Sequence, residues 1–256
     1  MLEDRKQAIT IGISLKMYFG YAQTVAWCEK VKEISAAHPA VTSGAVELFV
    51  IPSFPALSRA RELLAGTRIG LGAQNLHWED DGPFTGEVSG SMLAEIGCRY
   101  VEVGHAERRR MFGETDDVVA AKTEASQRNG LIPVICIGEP EPLRPDQAVK
   151  TCVSQLDAAL SRLDREAGGR IIVAYEPVWA IGAREPAPPD HIEAICDALR
   201  QALRAERSFE SEIIYGGTAG AGLLGVLHHS VDGLFLGRSA HDPSVLETVL
   251  DEATAL

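Results

Sequence analysis

At 256 residues, 46% hydrophobic and 23% charged, the chain has a globular composition and a length that one α/β domain can absorb. A net charge of −12 repels nucleic acid and anionic membrane, so neither is an expected partner. No apolar run is long enough to span a bilayer, and the opening MLEDRKQAIT lacks the apolar core of a secretory leader.

In chain order, short β-rich runs alternate with longer amphipathic ones. A strand over Ile9–Ile13 precedes a helix over Tyr21–Ala37, and Val46–Ile51 precedes Pro55–Leu64. The next pairs are Arg68–Leu71 with Ser91–Ile96, Tyr100–Val103 with Asp116–Arg128, and Leu131–Ile137 with Asp146–Glu166. Arg170–Tyr175 with Pro189–Glu206, Glu212–Tyr215 with Ala221–Leu227, and Gly233–Leu236 with Pro243–Leu256 complete the series. The strand runs are dominated by Val, Ile, Leu, Tyr and Phe, as parallel strands buried on both faces require. Thr115-Asp116-Asp117 and the Pro-Pro-Asp before His191 are helix start signals.

Strict βα alternation implies a parallel sheet with right-handed crossovers, and eight units in this length predict a closed (β/α)8 barrel, an α/β fold spanning residues 1–256 as one domain. No Gly-x-Gly-x-x-Gly follows the first strand, which weakens the dinucleotide-binding alternative. Cys28, Cys98, Cys136, Cys152 and Cys196 are scattered without a CxxC. Such usage predicts buried thiols in a reducing, cytoplasmic setting, with neither a disulfide framework nor a metal site.

In barrels of this kind functional groups gather at the C-terminal strand ends. Here those ends read Ser14-Leu15-Lys16, Gln74-Asn75, Gly104-His105, Gly138-Glu139, Glu176-Pro177, Gly216-Gly217-Thr218 and Gly237-Arg238-Ser239. Gly216, Gly217 and Gly237 leave backbone N–H groups approachable beside a Thr218 hydroxyl, the physics of a phosphate site, although a lone Gly-Gly would as readily serve a tight turn. Lys16 is either a solvated surface cation or a charge aimed into the barrel mouth. His105 is either a hydrogen-bonded structural residue or, at the start of a helical turn from Ala106, a neutral imidazole able to donate to a substrate oxygen. Glu176 is either a rim salt-bridge partner or a carboxylate desolvated beneath the loop Val178–Pro186, and so made more basic.

These residues, with Gly72-Ala73-Gln74-Asn75, Phe84-Thr85-Gly86-Glu87, Gly104-His105-Ala106-Glu107-Arg108-Arg109, Cys136-Ile137-Gly138-Glu139, the tract Ala174–Gly182 and Tyr215-Gly216-Gly217, resemble triosephosphate isomerases over almost the whole chain. That family is itself a standard illustration of a glutamate base, a neutral histidine and loop closure. The resemblance implies that Glu176 abstracts the proton beside the substrate carbonyl, that His105 stabilises the enediolate and that Lys16 supplies positive charge, supported by Glu107. It further implies a phosphate on Gly182, Gly217, Thr218 and Gly237, a lid from Pro177 to about Ala187 latched by Tyr215, no cofactor, and a homodimer formed through the loop Gln74 to Glu87.

The chain departs from the family at several of these places. Ser14 replaces asparagine, Leu15 tryptophan, Phe235 the leucine clamped over the base, Arg238 the second glycine of the last phosphate loop, and Pro186 a small polar hinge residue. Ser14, Phe235 and Arg238 map onto the substrate ring. Asparagine to serine opens space beside the substrate carbons, and Arg238 adds a forked donor. Two substrates therefore stand about even, a triose phosphate and a tetrulose phosphate (L-erythrulose 1-phosphate with D-erythrulose 4-phosphate), with a lean to the triose as the commoner activity. A catalytically inactive barrel and a Schiff-base lysine enzyme are the remaining alternatives. Glu102, an acidic residue inside the fourth strand, has no explanation at this level.

Overall fold

Eight parallel strands close on themselves in chain order in the computed structural model, which describes residues 8–206 and 208–256. They are β1 (Ile9–Ser14), β2 (Val46–Ile51), β3 (Gly70–Ala73), β4 (Tyr100–Val103), β5 (Ile132–Ile137), β6 (Gly169–Tyr175), β7 (Phe209–Tyr215) and β8 (Gly233–Leu236). The ring shuts where β8 pairs with β1, Thr10 opposite Gly233 through Ile13 opposite Leu236. Around it lie α1 (Tyr21–Ala37), α2 (Pro39–Ser43), α3 (Leu57–Leu64), α4 (Gly90–Ile96), α5 (Ala106–Phe112), α6 (Asp116–Arg128), α7 (Pro145–Leu160), α8 (Pro189–Ala205), α9 (Leu224–Leu227) and α10 (Pro243–Thr254). This is the (β/α)8 barrel that the alternation predicts. The leader reading rests on residues 1–7, which lie outside the described residues.

The strands are mostly apolar because both faces are covered. Outward residues such as Ile11, Ile13, Val101 and Val103 pack beneath the helices, while Phe49, Ile51, Tyr100, Val134, Cys136, Ile172, Ala174, Ile214 and Phe235 fill the barrel. Each large aliphatic side chain buried this way contributes about 1.5–3 kcal/mol. The Phe49 and Tyr100 rings stack with centroids 4.3 Å apart. Gly12 is what makes room for them: a Cβ there would run into the rings of Phe49 and Phe235.

Below that apolar layer the barrel floor is charged. Arg170 donates to Glu47 through both terminal nitrogens, at 2.9 and 2.7 Å, and to Glu212 at 2.7 Å. Thr10 donates to Glu212 at 2.6 Å, and the Tyr100 hydroxyl to Glu47. One forked guanidinium shared by two carboxylates, with a hydroxyl donor added to each, leaves neither carboxylate without a partner.

Local chemistry moved several boundaries. The third strand starts at Gly70 rather than Arg68, because the Thr67 hydroxyl accepts from the Ile69 N–H and holds a turn there. Helix α7 stops at Leu160 rather than Glu166, because the Asp164 carboxylate accepts from the N–H groups of Glu166 and Ala167. The helix expected from Ala221 is reduced to Leu224–Leu227, since Gly222 takes a left-handed conformation (φ 85°). All five cysteines are free and buried. Among the described residues no helix is long and apolar enough to cross a membrane, and no cluster of three metal-ligating side chains forms.

Candidate active site

The strand ends converge on a cavity of about 520 Å³. Of the residues singled out from sequence, Ser14, Lys16, His105, Glu107, Glu176, Gly182, Thr218, Gly237 and Arg238 line it, whereas Gly217 and Tyr215 lie behind its wall. Tyr18, two residues past Lys16, also lines it and passed unnoticed in the sequence.

Lys16 leaves β1 in a left-handed conformation (φ 49°), held by the Gln74 amide, which donates to the Lys16 carbonyl at 2.8 Å. Its ammonium donates to Glu107 at 2.8 Å. Burial alone would lower the Lys16 pKa, but Glu176 and Glu107 outweigh it and the net shift is upward, so the cation is retained. Glu107 is held below the usual carboxylate range by Lys16, against its own partial burial.

His105 caps α5, which starts at Ala106 as the sequence suggested. Its Nδ1 accepts from the Glu107 N–H at 3.1 Å. That bond fixes the tautomer: the neutral ring carries its proton on Nε2. Burial, with Lys16 adding to it, pulls the imidazole down to about 4, so it is neutral at physiological pH. Nε2 is buried without a hydrogen-bond partner and stands 3.4 Å from Glu176 Oε2, which is likewise unpartnered. A donor and an acceptor lie side by side with nothing between them to satisfy either, and a small ligand would complete both.

Glu176 extends the inward row of β6, and burial pushes its carboxyl up to about 8, with Lys16 opposing and Glu102 and Glu107 assisting. A Cβ on Gly216 would collide with this carboxylate, and one on Gly138 with the Glu176 carbonyl. Gly216, singled out from sequence as a phosphate glycine, is therefore first of all the space in which the carboxylate sits. Gly217 is similarly confined, its Cβ position lying 2.6 Å from the Tyr215 hydroxyl and 2.9 Å from Pro177.

The segment from Pro177 to Ala187 is docked over the cavity. Thr218, also left-handed (φ 55°), accepts from the Gly182 N–H at 3.1 Å and donates to the Ala180 carbonyl at 2.6 Å. The Gly182 N–H that the resemblance assigns to phosphate is thus engaged by Thr218. The Tyr215 hydroxyl accepts from the Ala187 N–H at 3.1 Å. Arg238 reaches the Gly182 carbonyl at 3.4 Å and lies 5.9 Å from the Tyr18 ring centroid. Beneath this segment, fully buried Glu139 accepts from Trp179 Nε1 at 2.8 Å and from the Tyr175 hydroxyl at 3.2 Å. Sequence reading registered Glu139 only as a polar strand end.

Phe235 lines the cavity, but its ring turns into the barrel toward Phe49, centroids 6.2 Å apart. Glu102 also points inward, and its Oε2 accepts from the Ser14 hydroxyl at 2.8 Å. Its other oxygen lies 3.9 Å from His105 Nε2. Burial raises its carboxyl to about 7, with the Ser14 hydrogen bond and Lys16 opposing.

The triosephosphate isomerase family model matches residues 9–253. Over 250 residues the chain is 53% identical to the L-erythrulose-1-phosphate isomerase of Pectobacterium atrosepticum, covering 97% of this chain and 96% of that protein. It is 39% identical over 237 residues to the protein of the same name from Brucella melitensis, with 90% of each chain covered. With a triosephosphate isomerase of Synechococcus it shares 38% identity over 229 residues, 87% of this chain and 89% of that one. Likeness along the full barrel, coupled to a cavity that sets a carboxylate against an unpartnered imidazole, leads to one assignment: the chain is an isomerase and belongs to the triosephosphate isomerase family.

Proposed function

We propose that this isomerase interconverts L-erythrulose 1-phosphate and D-erythrulose 4-phosphate, moving a carbonyl one position along a four-carbon phosphorylated ketose. The observation that carries the reading is the 53% identity, over 97% of the chain, to a protein named L-erythrulose-1-phosphate isomerase, against 38% and 42% over shorter stretches to two triosephosphate isomerases. The lean toward a triose, drawn from sequence alone, is given up on that ground. Ser14, shorter than an amide side chain and lining the cavity, supports it by leaving room for one more hydroxymethyl group.

The chemistry follows from the cavity. Glu176 removes the proton from the carbon beside the carbonyl, and the released electron pair moves onto the carbonyl oxygen to give an enediolate. His105 Nε2–H donates to that developing charge, and its neutral state lets it do so without first losing a proton. The proton on Glu176 is then returned to the neighbouring carbon, while the hydroxyl proton of the second carbon passes to the former carbonyl oxygen through His105 Nε2, which gives one proton and takes one, so base and imidazole both end as they began. Lys16, steadied by Glu107, holds positive charge at the same mouth. Gly237, Thr218 and Arg238 face the end where the phosphate would sit, with Gly182 and Gly217 in the loops around it. The lid, latched by Tyr215, excludes water and suppresses loss of phosphate from the enediolate.

The same reading includes a homodimer through the loop Gln74 to Glu87. Exposed apolar side chains at Met17, Phe84, Met111 and Phe112 support it, as do the five buried free thiols a cytoplasmic setting. Side-by-side turnover of L-erythrulose 1-phosphate and dihydroxyacetone phosphate tests the substrate. A kcat/KM at least about tenfold higher for the tetrulose is expected, and a preference for the triose would overturn the reading.

A further inference from the structure

An ionisable side chain inside a barrel core is costly, and Glu102 is only 4% exposed. It lies on β4, does not line the cavity, and performs no step of the proton transfer described above, although its charge adds to the upward shift of Glu176. Its hydrogen bond comes from Ser14 on β1, across the barrel interior. The hydroxyl of Ser14 has one proton and two lone pairs. With the proton committed to Glu102 at 2.8 Å, what remains for the cavity is acceptor capacity.

The cavity's other hydroxyls are those of Tyr18, Thr218 and Ser239, of which Thr218 already accepts from the Gly182 N–H, and its charged and ring side chains add little acceptor capacity. Lys16 and Arg238 can only donate, and His105 presents Nε2–H because its Nδ1 is taken by the Glu107 N–H. The Glu107 carboxylate is tied to Lys16, and Glu176 is occupied by the reacting carbon. A four-carbon ketose phosphate differs from a three-carbon one by a single hydroxymethyl group, and a hydroxyl needs an acceptor for its proton. Ser14 stands at the place where that group would be admitted.

We propose that Glu102 is a specificity-determining positioning residue: by taking the Ser14 hydroxyl proton it turns Ser14 into the acceptor for the additional hydroxyl of a tetrulose phosphate. Glu102 acts through Ser14 and does not itself touch the substrate. The proposal rests on the tetrulose reading of the site and adds to it the pair of side chains that recognises the fourth carbon's hydroxyl.

The test is kcat/KM for L-erythrulose 1-phosphate and for dihydroxyacetone phosphate in wild type, Glu102→Val, Glu102→Gln, Ser14→Ala and the Glu102→Val/Ser14→Ala double variant. Glu102→Val removes the acceptor. The tetrulose-to-triose ratio is expected to fall by about 10- to 100-fold, the usual cost of losing one buried hydrogen-bond partner. Glu102→Gln keeps a carbonyl oxygen for the same proton and should hold the ratio within about threefold of wild type. The double variant should be no worse in ratio than either single one, because both changes remove one device. A purely structural Glu102 would instead lower both substrates in parallel and leave the ratio alone, which overturns the proposal while sparing the tetrulose reading. Additive effects in the double variant would overturn it too. A wild-type enzyme that prefers the triose removes the reading and the proposal together. Should Glu102→Val not fold, the Glu102→Gln and Ser14→Ala ratios decide: Ser14→Ala must lose the preference and Glu102→Gln must keep it.

Discussion

Replacing Glu176 by glutamine is expected to abolish turnover and, at neutral pH, to make the protein more stable. The carboxyl titrates near its usual value of 4.5 in the unfolded chain and at about 8 in the folded protein, chiefly through burial. Between those two values the native state holds a proton that the unfolded state has released. Stability therefore falls as pH rises through the window, is undiminished below it, and is lowest above it. At pH 7 the gap is about 2.5 pH units, or roughly 3 kcal/mol at ~1.4 kcal/mol per unit. Glutamine cannot titrate, so the variant lacks this slope. Loss of a favourable neighbour for Lys16 offsets part of the gain, leaving about 1–3 kcal/mol at pH 7–8 and almost nothing at pH 5. Urea unfolding of both proteins at fixed concentration, from pH 5 to pH 8, measures the difference directly. The accompanying loss of kcat should be about 10²- to 10⁴-fold, the usual worth of a general base. Two stability curves separated by a constant amount across the range would show that the carboxyl is not perturbed by its surroundings, and the account of the base would fail.

The free enzyme's kcat/KM should rise with pH toward a plateau above about 8 as Glu176 ionises, with no second limb near 6.5 because His105 is already neutral there; a limb in that region that disappears on substituting His105 would contradict the neutral imidazole. Ser14→Asn should move the substrate ratio toward the triose by at least about tenfold, and an unmoved ratio rules out the pocket-volume argument. Gly216→Ala puts a methyl group where the Glu176 carboxylate lies, and a displacement of that order is expected to cut kcat about 100-fold; near-normal turnover would place the working carboxylate elsewhere. Glu114 accepts from both Lys122 and Arg108, with the Lys122 ammonium also donating to Asn75 at 2.7 Å. Glu114→Ala strands two cations and should cost about 3–5 kcal/mol in chemical denaturation.

The barrel could be read from the chain because its determinants are local: an apolar strand run, a polar or glycine end, then an amphipathic helix, repeated. Boundaries slipped where a single side chain redirected the backbone, as Thr67 and Asp164 do. Helix α2 escaped notice because five residues carry no periodicity, and what defines it is His38, whose ring accepts from Ala40, together with left-handed Gly44. Lys16, His105 and Glu176 were legible since chemistry at a strand end is a positional rule. Glu102 and Glu139 were not. The partner that explains Glu102 lies 88 residues away, and Glu139 gathers Tyr175 and Trp179 from the following unit. Gly216 taught a related lesson, since a glycine needed for one neighbour's bulk looks in sequence like a glycine needed for a ligand.

Where the ring shuts, β1 lies against β8, and that seam is also where Ser14, Phe235 and Arg238 stand. The proposed base and its imidazole partner arise elsewhere on the circumference, His105 after β4 and Glu176 after β6. Side chains at the closure can thus be exchanged for a new sugar while His105 and Glu176 stay in place, provided that Lys16, which leaves β1 at the same seam, is kept. Redesign of this scaffold toward other phosphorylated ketoses should accordingly begin at the closure, together with Glu102, the partner of Ser14 on β4.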